Sequence, residues 1–176
     1  MTPNRRRQLQ RSAAKLLELL GTVEAPIPVE RLAQLRGAKI RFVPTDDDIS
    51  GVLFREDGQA IIGVNALHST TRQRFTIAHE LGHLELHENS EVHVDRSFRV
   101  YSRDQRSSEA TDVREIEANA FAAEVLIPSA LVEKDLARLT VDYEDDEVIR
   151  RLAERYKVSP QAMTIRLTNL GFLHGG

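Results

Sequence analysis

The 176-residue sequence contains no cysteine and no tryptophan, and only 5% of its residues are aromatic. Without cysteine, the protein can form neither disulfide bonds nor a metal site with thiolate ligands. The sequence also lacks an apolar run long enough to cross a bilayer, and its first residues lack the apolar core of a signal peptide. We therefore expect a cytoplasmic protein.

Neither sign of charge predominates: 27 acidic residues slightly outnumber 24 basic ones, which gives a formal net charge of −3 at pH 7. A protein that mainly coats nucleic acid usually carries a large positive charge, so this class is not favoured. Arg5, Arg6 and Arg7 form a basic start, which we expect to be solvated surface rather than a docking site. Hydrophobic residues make up 41% of the chain, enough for one domain or one domain with a small appended module.

Hydrophobic periodicity and turn residues divide the chain into helices, a small sheet and further helices. The sequence predicts helices over 9–20, 29–35, 71–87, 112–127, 129–139, 145–156 and 160–170, and strands over 39–43, 51–55, 59–65 and 92–95. Asp57-Gly58 is a strong hairpin signal, and residues 97–108 are polar and predict a loop. This order predicts an α+β fold in which a small sheet, antiparallel in part, packs on a central helix.

The central helix contains the HExxH pattern His79-Glu80-Leu81-Gly82-His83. Two histidines four residues apart lie on one helical face, about 6 Å apart along the axis, so both rings can reach one zinc ion. Glu80 projects about 100° around the helix from His79 and can reach a zinc-bound water without being a ligand. Because zinc lowers the pKa of that water, the pattern predicts a hydrolytic zinc site with Glu80 as the catalytic base.

The alternative is a structural pair of buried histidines, which would need partners for both ring nitrogens. Gly82 favours the metal site, because a glycine inside a helix costs about 1 kcal/mol and indicates that another element packs closely against it. His87 continues the same face but lies about 12 Å along the axis from His79, too far to share a tetrahedral ion. We expect His87 to be a polar residue near the end of the helix.

A hydrolytic zinc site usually has three protein ligands, and the helix predicted over residues 112–127 offers the third. On a helical wheel Glu115 and Asn119 lie among apolar residues, whereas Glu117 and Glu124 lie together on the polar face. A carboxylate in an apolar arc is costly unless it is paired, so the wheel predicts Glu115 as the ligand.

Two further interpretations concern the same helix. Asn119, one turn beyond Glu115, can orient that carboxylate or form a hydrogen bond with a ligand histidine. Alternatively, Asp112 is the N-cap and Glu115 occupies the third helical position of a capping box.

Taken together, these residues resemble a known family. The segment from Arg74 to His83, the residues Glu115 to Asn119 and the run from Phe121 to Pro128 are similar to the ImmA/IrrE family of gluzincin-type metallopeptidases. The resemblance implies a small sheet on the zinc helix, zinc as the cofactor and Glu115 as the third ligand. It also implies a protein substrate, a helix-turn-helix repressor that is cut to release transcription.

Substrate binding and oxyanion stabilisation depend on other parts of the chain. His93 and Tyr101 are the candidates for stabilising the oxyanion. The strand over residues 59–65 leads into the zinc helix and is either an exposed edge that takes an extended substrate by strand addition or an ordinary core strand.

The last two predicted helices are separated by a short turn, with Ser159 as N-cap and Pro160 at the first helical position. We therefore assign residues 1–140 to a zincin-like metallopeptidase domain and 141–176 to a small helical, helix-turn-helix-like module. The second helix has one positive charge, whereas phosphate contacts normally need several, so direct DNA binding is not expected. The rival for the whole chain is a zinc-containing regulator that binds DNA or a repressor without peptidase activity.

Overall fold

A computed structural model describes residues 1–46, 49–87, 92–96, 109–138 and 146–173, with the backbone alone described at 92–96 and 109–112. In chain order the elements are α1 (Pro3–Glu18), α2 (Val29–Leu35), β1 (Lys39–Val43), β2 (Ile49–Glu56), β3 (Gln59–Asn65), α3 (Thr70–Leu86), β4 (Val92–Arg96), α4 (Glu109–Leu126), α5 (Ser129–Leu136), α6 (Asp146–Tyr156) and α7 (Pro160–Leu170). The predicted α+β class and element order are confirmed. Across the described ranges, none of the helices has the length and apolar character needed to span a membrane.

α1 begins six residues before the first apolar residue that predicts it. Thr2 is the N-cap, and its side-chain oxygen accepts a hydrogen bond from the Arg5 backbone N–H at 3.3 Å. Pro3 occupies the first turn, where its missing N–H is not needed. Because the first turns carry arginines instead of apolar residues, hydrophobic periodicity could not reveal them.

The sheet has the strand order β1-β3-β2-β4. β1 pairs parallel with β3, whereas β2 pairs antiparallel with both β3 and β4. The predicted hairpin is confirmed between β2 and β3, where Asp57 and Gly58 both have positive φ. Since β3 lies between β1 and β2, both of its edges are occupied. The idea that residues 59–65 form an exposed edge is therefore wrong, and this strand belongs to the core.

α3 packs against β2 and β3 on one side and against α4 on another. Glycines allow this close approach on both sides. A Cβ on Gly51 of β2 would lie 2.3 Å from Thr76 Cγ2 of α3. A Cβ on Gly82 of α3 would lie 3.0 Å from Ala118 Cα and 3.2 Å from the Ala118 carbonyl oxygen of α4. The close packing predicted at Gly82 is confirmed.

The C-terminal helices share one hydrophobic cluster with the rest of the described chain. Arg74 of α3 donates a hydrogen bond to the Lys157 carbonyl, between α6 and α7, at 3.3 Å. Arg166 of α7 forms an ion pair with Glu124 of α4. The predicted domain boundary falls among residues 139–145, outside the described residues, and stays a prediction.

α6 and α7 are joined by the short turn that the sequence predicts. Lys157 adopts a positive φ of 51° in this turn. Ser159 is the N-cap of α7, accepting a hydrogen bond from the Ala162 backbone N–H at 3.1 Å, and Pro160 stands in the first turn. The predicted start of the last helix is therefore confirmed.

Candidate metal centre

α3 and α4 bring three ligand-type side chains together. His79 and His83 lie one turn apart on α3, and Glu115 lies on the adjacent α4. His79 Nε2 lies 3.0 Å from His83 Nε2; Glu115 Oε2 lies 3.3 Å from His79 Nε2, and Glu115 Oε1 lies 3.3 Å from His83 Nε2. Where the structure describes side chains, this is the one cluster of three histidine and acidic residues close enough to hold a metal ion, with ligand atoms within 4.8 Å of one another.

The spacing of these atoms fits a tetrahedral ion. With metal–ligand bonds of about 2.0–2.1 Å, neighbouring ligand atoms of a tetrahedral site lie about 3.3–3.4 Å apart. The 3.0 Å between the two histidine nitrogens, and the 3.3 Å from each nitrogen to its own contacting Glu115 oxygen, are close to that edge length. Two imidazoles and one carboxylate also leave the fourth position for water or substrate. The residues present therefore fit a divalent metal ion in an open, hydrolytic type of site.

The ring of His79 is held by α4. Its Nδ1 lies 2.9 Å from Asn119 Oδ1, which can only accept a hydrogen bond. The ring hydrogen must therefore be on Nδ1, and the lone pair of Nε2 faces the ligand cluster. Of the two roles considered for Asn119, the structure places this side chain against a ligand-type histidine.

The ring of His83 is held by a series of contacts that passes through several side chains. His83 Nδ1 lies 3.2 Å from His87 Nδ1, and His87 Nε2 lies 3.1 Å from Glu117 Oε2. Glu117 also accepts two hydrogen bonds from Arg5 of α1, from Nε and Nη2, each at 2.6 Å. His87 is the polar residue at the end of α3 that the sequence predicts, and it also contacts His83. Arg6 and Arg7 are exposed as expected, whereas Arg5 is half-buried and binds Glu117.

Burial along α4 is the reverse of what the helical wheel predicts. The Glu115 side chain is 23% exposed, whereas the Glu117 side chain is 8% exposed and Glu124 is also buried. Both buried glutamates are paired with arginines, Arg5 of α1 and Arg166 of α7. The wheel describes one helix alone, so it could not show that other helices cover the face it assigns to solvent.

The capping interpretation of Asp112 is also wrong. α4 begins at Glu109, so Asp112 lies inside the helix instead of at its N-cap. Glu115 is one full turn farther from the helix start than a capping box requires.

Ionisation of the cluster suits metal binding. Burial by itself raises the pKa of Glu115, but hydrogen bonds with His79 and His83 outweigh it, and the net pKa lies below the ordinary value. Burial lowers the pKa of His83, which favours its neutral form. The hydrogen bond from Arg5 is the largest cause of the lowered pKa of Glu117, about 2. Carboxylates and a neutral imidazole are the forms that metal ligation and its supporting hydrogen bonds require.

Glu80 is fully buried between α3 and the sheet. It follows His79 directly, about 100° around the helix. A Cβ on Gly51 of β2 would lie 3.1 Å from Glu80 Oε1, so this glycine leaves the space that the carboxylate occupies. A negative charge at such a position is stabilised by a nearby cation, which a metal ion at the ligand cluster would provide.

The candidates for oxyanion stabilisation lie at or beyond the limit of the described residues. In the antiparallel register β4 places His93 opposite Leu53 of β2, but only the backbone of β4 is described. Tyr101, together with the predicted loop over residues 97–108, lies outside the described residues.

The family model of Peptidase_M78, the IrrE N-terminal-like domain, matches residues 33–168, which is most of the chain. The chain belongs to the ImmA/IrrE family. This ImmA/IrrE-type metallopeptidase carries its ligand-type residues within the matched region, whereas α1, which supplies Arg5, lies outside it. No curated protein was found to match the chain.

Proposed function

We propose that the protein is a zinc-dependent endopeptidase that cuts a helix-turn-helix transcriptional repressor. The observation that carries the proposal is the convergence of His79, His83 and Glu115, whose ligand atoms lie within 4.8 Å of one another, with the buried Glu80 directly following His79 in the chain. Family membership supports peptidase chemistry, and the resemblance to ImmA/IrrE proteins supports a repressor as the substrate. Zinc is favoured because two histidines and a glutamate are one of its usual ligand sets in hydrolases.

The proposed chemistry divides the work between the metal and Glu80. Zinc held by His79, His83 and Glu115 would supply a Lewis acid that polarises the scissile carbonyl and acidifies water. The Glu80 carboxylate accepts a proton from the attacking water and delivers it to the nitrogen that leaves. One C–O bond forms and the C–N peptide bond breaks, so the products are a carboxylate and an amine.

We also propose that an extended segment of the substrate adds to β4. Within the described sheet β4 is the outer strand on the side of β2, and Gly51 of β2 lies against Glu80. β1, the other outer strand, is separated from β2 by β3. Backbone hydrogen bonds to an outer strand hold an extended peptide without demanding a particular sequence.

The rival function as a DNA-binding regulator finds no support in α7. Arg166 is the only basic residue of this helix, and it is buried. It forms an ion pair with Glu124 and donates a hydrogen bond to the Ile127 carbonyl at 3.0 Å, so it is not directed at phosphates. We therefore propose that α6 and α7 form a packing module. The cytoplasmic location stays a prediction from the sequence.

The test is incubation of the zinc-loaded protein with helix-turn-helix proteins encoded near its own gene, followed by mass spectrometry of the products. We expect a cut at one position in one cognate repressor and no cut in the others. A repressor that binds the zinc-loaded protein and stays intact would favour a sequestering protein and contradict the peptidase proposal.

The assignment of Glu115 as the third ligand predicts the order of zinc affinity of two variants. We expect Glu115→Ala to weaken zinc binding far more than Glu117→Ala, because Glu115 lies among the ligand atoms whereas Glu117 reaches His83 only through His87. Loss of a residue outside the ligand set usually weakens metal binding by about 10–100-fold. Chelator-competition titration measures the ranking. If the order is reversed, Glu117 is the ligand and the assignment of Glu115 is wrong.

A further inference from the structure

A series of side-chain contacts connects His83 with α1. Three pairs of residues are in contact along the way: His83 and His87 at 3.2 Å, His87 and Glu117 at 3.1 Å, and Glu117 and Arg5 through two hydrogen bonds of 2.6 Å. These side chains belong to three segments, the end of α3, the middle of α4 and the first turns of α1. α1 lies outside the residues that match the family model.

With both rings neutral, one arrangement of hydrogens satisfies all of these contacts. If His83 Nε2 faces the metal position, its Nδ1 carries the hydrogen and donates to His87 Nδ1. His87 Nε2 then carries the other hydrogen and donates to Glu117, a carboxylate that can only accept. Arg5 donates to both oxygens of Glu117, so each donor along the series meets an acceptor.

We propose that Arg5, Glu117 and His87 are positioning residues that set the metal affinity of the site by fixing the ring of His83. The proposal rests on the metal site of the proposed function. The ring of His79 is instead fixed by one direct contact, with Asn119. Through His87 and Glu117, a helix that carries no ligand controls how firmly a ligand is held.

Burial and geometry make these contacts effective. The His87 side chain is 6% exposed and Glu117 is buried, so water does not compete freely for their hydrogen bonds. Two parallel hydrogen bonds from one guanidinium fix the plane of the Glu117 carboxylate, which a single contact could not do. That plane determines where the oxygen facing His87 lies.

The first test compares two substitutions of His87. His87→Leu removes the acceptor for His83 Nδ1, and we expect zinc binding to weaken on the order of 10–100-fold. His87→Asn places an amide oxygen close to the position of His87 Nδ1, and we expect it to restore most of the affinity. If His87 only fills space, Leu should be tolerated at least as well as the smaller Asn.

The second test uses a matched pair of arginines. Arg155 binds Asp135 as Arg5 binds Glu117, through Nε at 2.8 Å and Nη2 at 3.2 Å, and Asp135 also accepts a hydrogen bond from Tyr156. This second ion pair joins α5 and α6 and includes none of the ligand-type residues. We expect Arg5→Ala to weaken zinc binding and Arg155→Ala to leave it unchanged, although both lose an ion pair.

The measurements are chelator-competition titration with zinc and the visible absorption spectrum with cobalt, on variants whose folding is checked by circular dichroism. The cobalt spectrum should change in His87→Leu and Arg5→Ala but not in Arg155→Ala. Wild-type zinc affinity in both His87→Leu and Arg5→Ala would overturn the proposal while leaving the metal site intact. A wild-type protein that binds no zinc would instead overturn the proposed function itself.

Discussion

Glu80→Gln should retain zinc and still bind its repressor, yet cut it several orders of magnitude more slowly. The side chain is fully buried and directly follows His79 in the chain, and glutamine keeps its size and polarity while removing the group that accepts the proton. General-base catalysis alone contributes about 10²–10⁴-fold to rates of this kind. Cleavage of a cognate repressor followed on a gel, with zinc quantified in each sample, measures the effect.

Glu85→Gln is the matched control for this experiment. Glu85 lies on the same helix but contacts Arg36 of the segment after α2, so the same change of carboxylate to amide there should leave cleavage unaffected. Equal cleavage by the wild-type protein and Glu80→Gln would end the assignment of Glu80 as the base.

His83→Ala should abolish zinc binding and, with it, cleavage. We expect about one zinc per wild-type chain, because the three residues form a single cluster whose ligand atoms lie within 4.8 Å of one another. The variant leaves one histidine and one carboxylate, too few to hold the ion firmly. Elemental analysis of the purified variants gives the stoichiometry. His68→Ala is the control, because His68 contacts Asn65 and lies outside the ligand cluster. Full zinc occupancy in His83→Ala would refute the site.

The parts of the fold and site that could be predicted from the sequence are those determined by neighbours along the chain. The histidine pair lies within one helix, so its spacing alone places both rings on one face. The hairpin between β2 and β3 follows from Asp57-Gly58, and the start of α7 follows from Ser159 and Pro160. None of these features depends on how the helices pack.

The environment of Glu115, the proposed third ligand, could not be predicted in the same way. The wheel selects Glu115, which lies against His79 and His83, but the burial on which that selection depended belongs to Glu117. Glu117 is covered by Arg5, which is 112 residues away in the chain. Such a pairing is created by helix packing and leaves no periodicity in the sequence.

Two signals were present in the sequence and could have been used further. His87 continues the row of His79 and His83 at four-residue spacing, which indicates a hydrogen-bond partner even though it is too far away to be a ligand. The apolar run at Ala60-Ile61-Ile62 within β3, uninterrupted by polar residues, is typical of an interior strand and not of an exposed edge.

The contact of Gly82 with Ala118 sets how closely the two helices that carry the ligand-type residues approach. Gly82 lies between the two histidines along α3, and Ala118 lies between Glu115 and Asn119 along α4, so the helix backbones approach at the level of the ligands. At this level the distance between the helices is set by backbone atoms, and not by side chains that could relax. The ligand-type residues on these helices are therefore preorganised: part of their ordering entropy is lost when the chain folds, and a metal ion binding there would not have to bring the helices together.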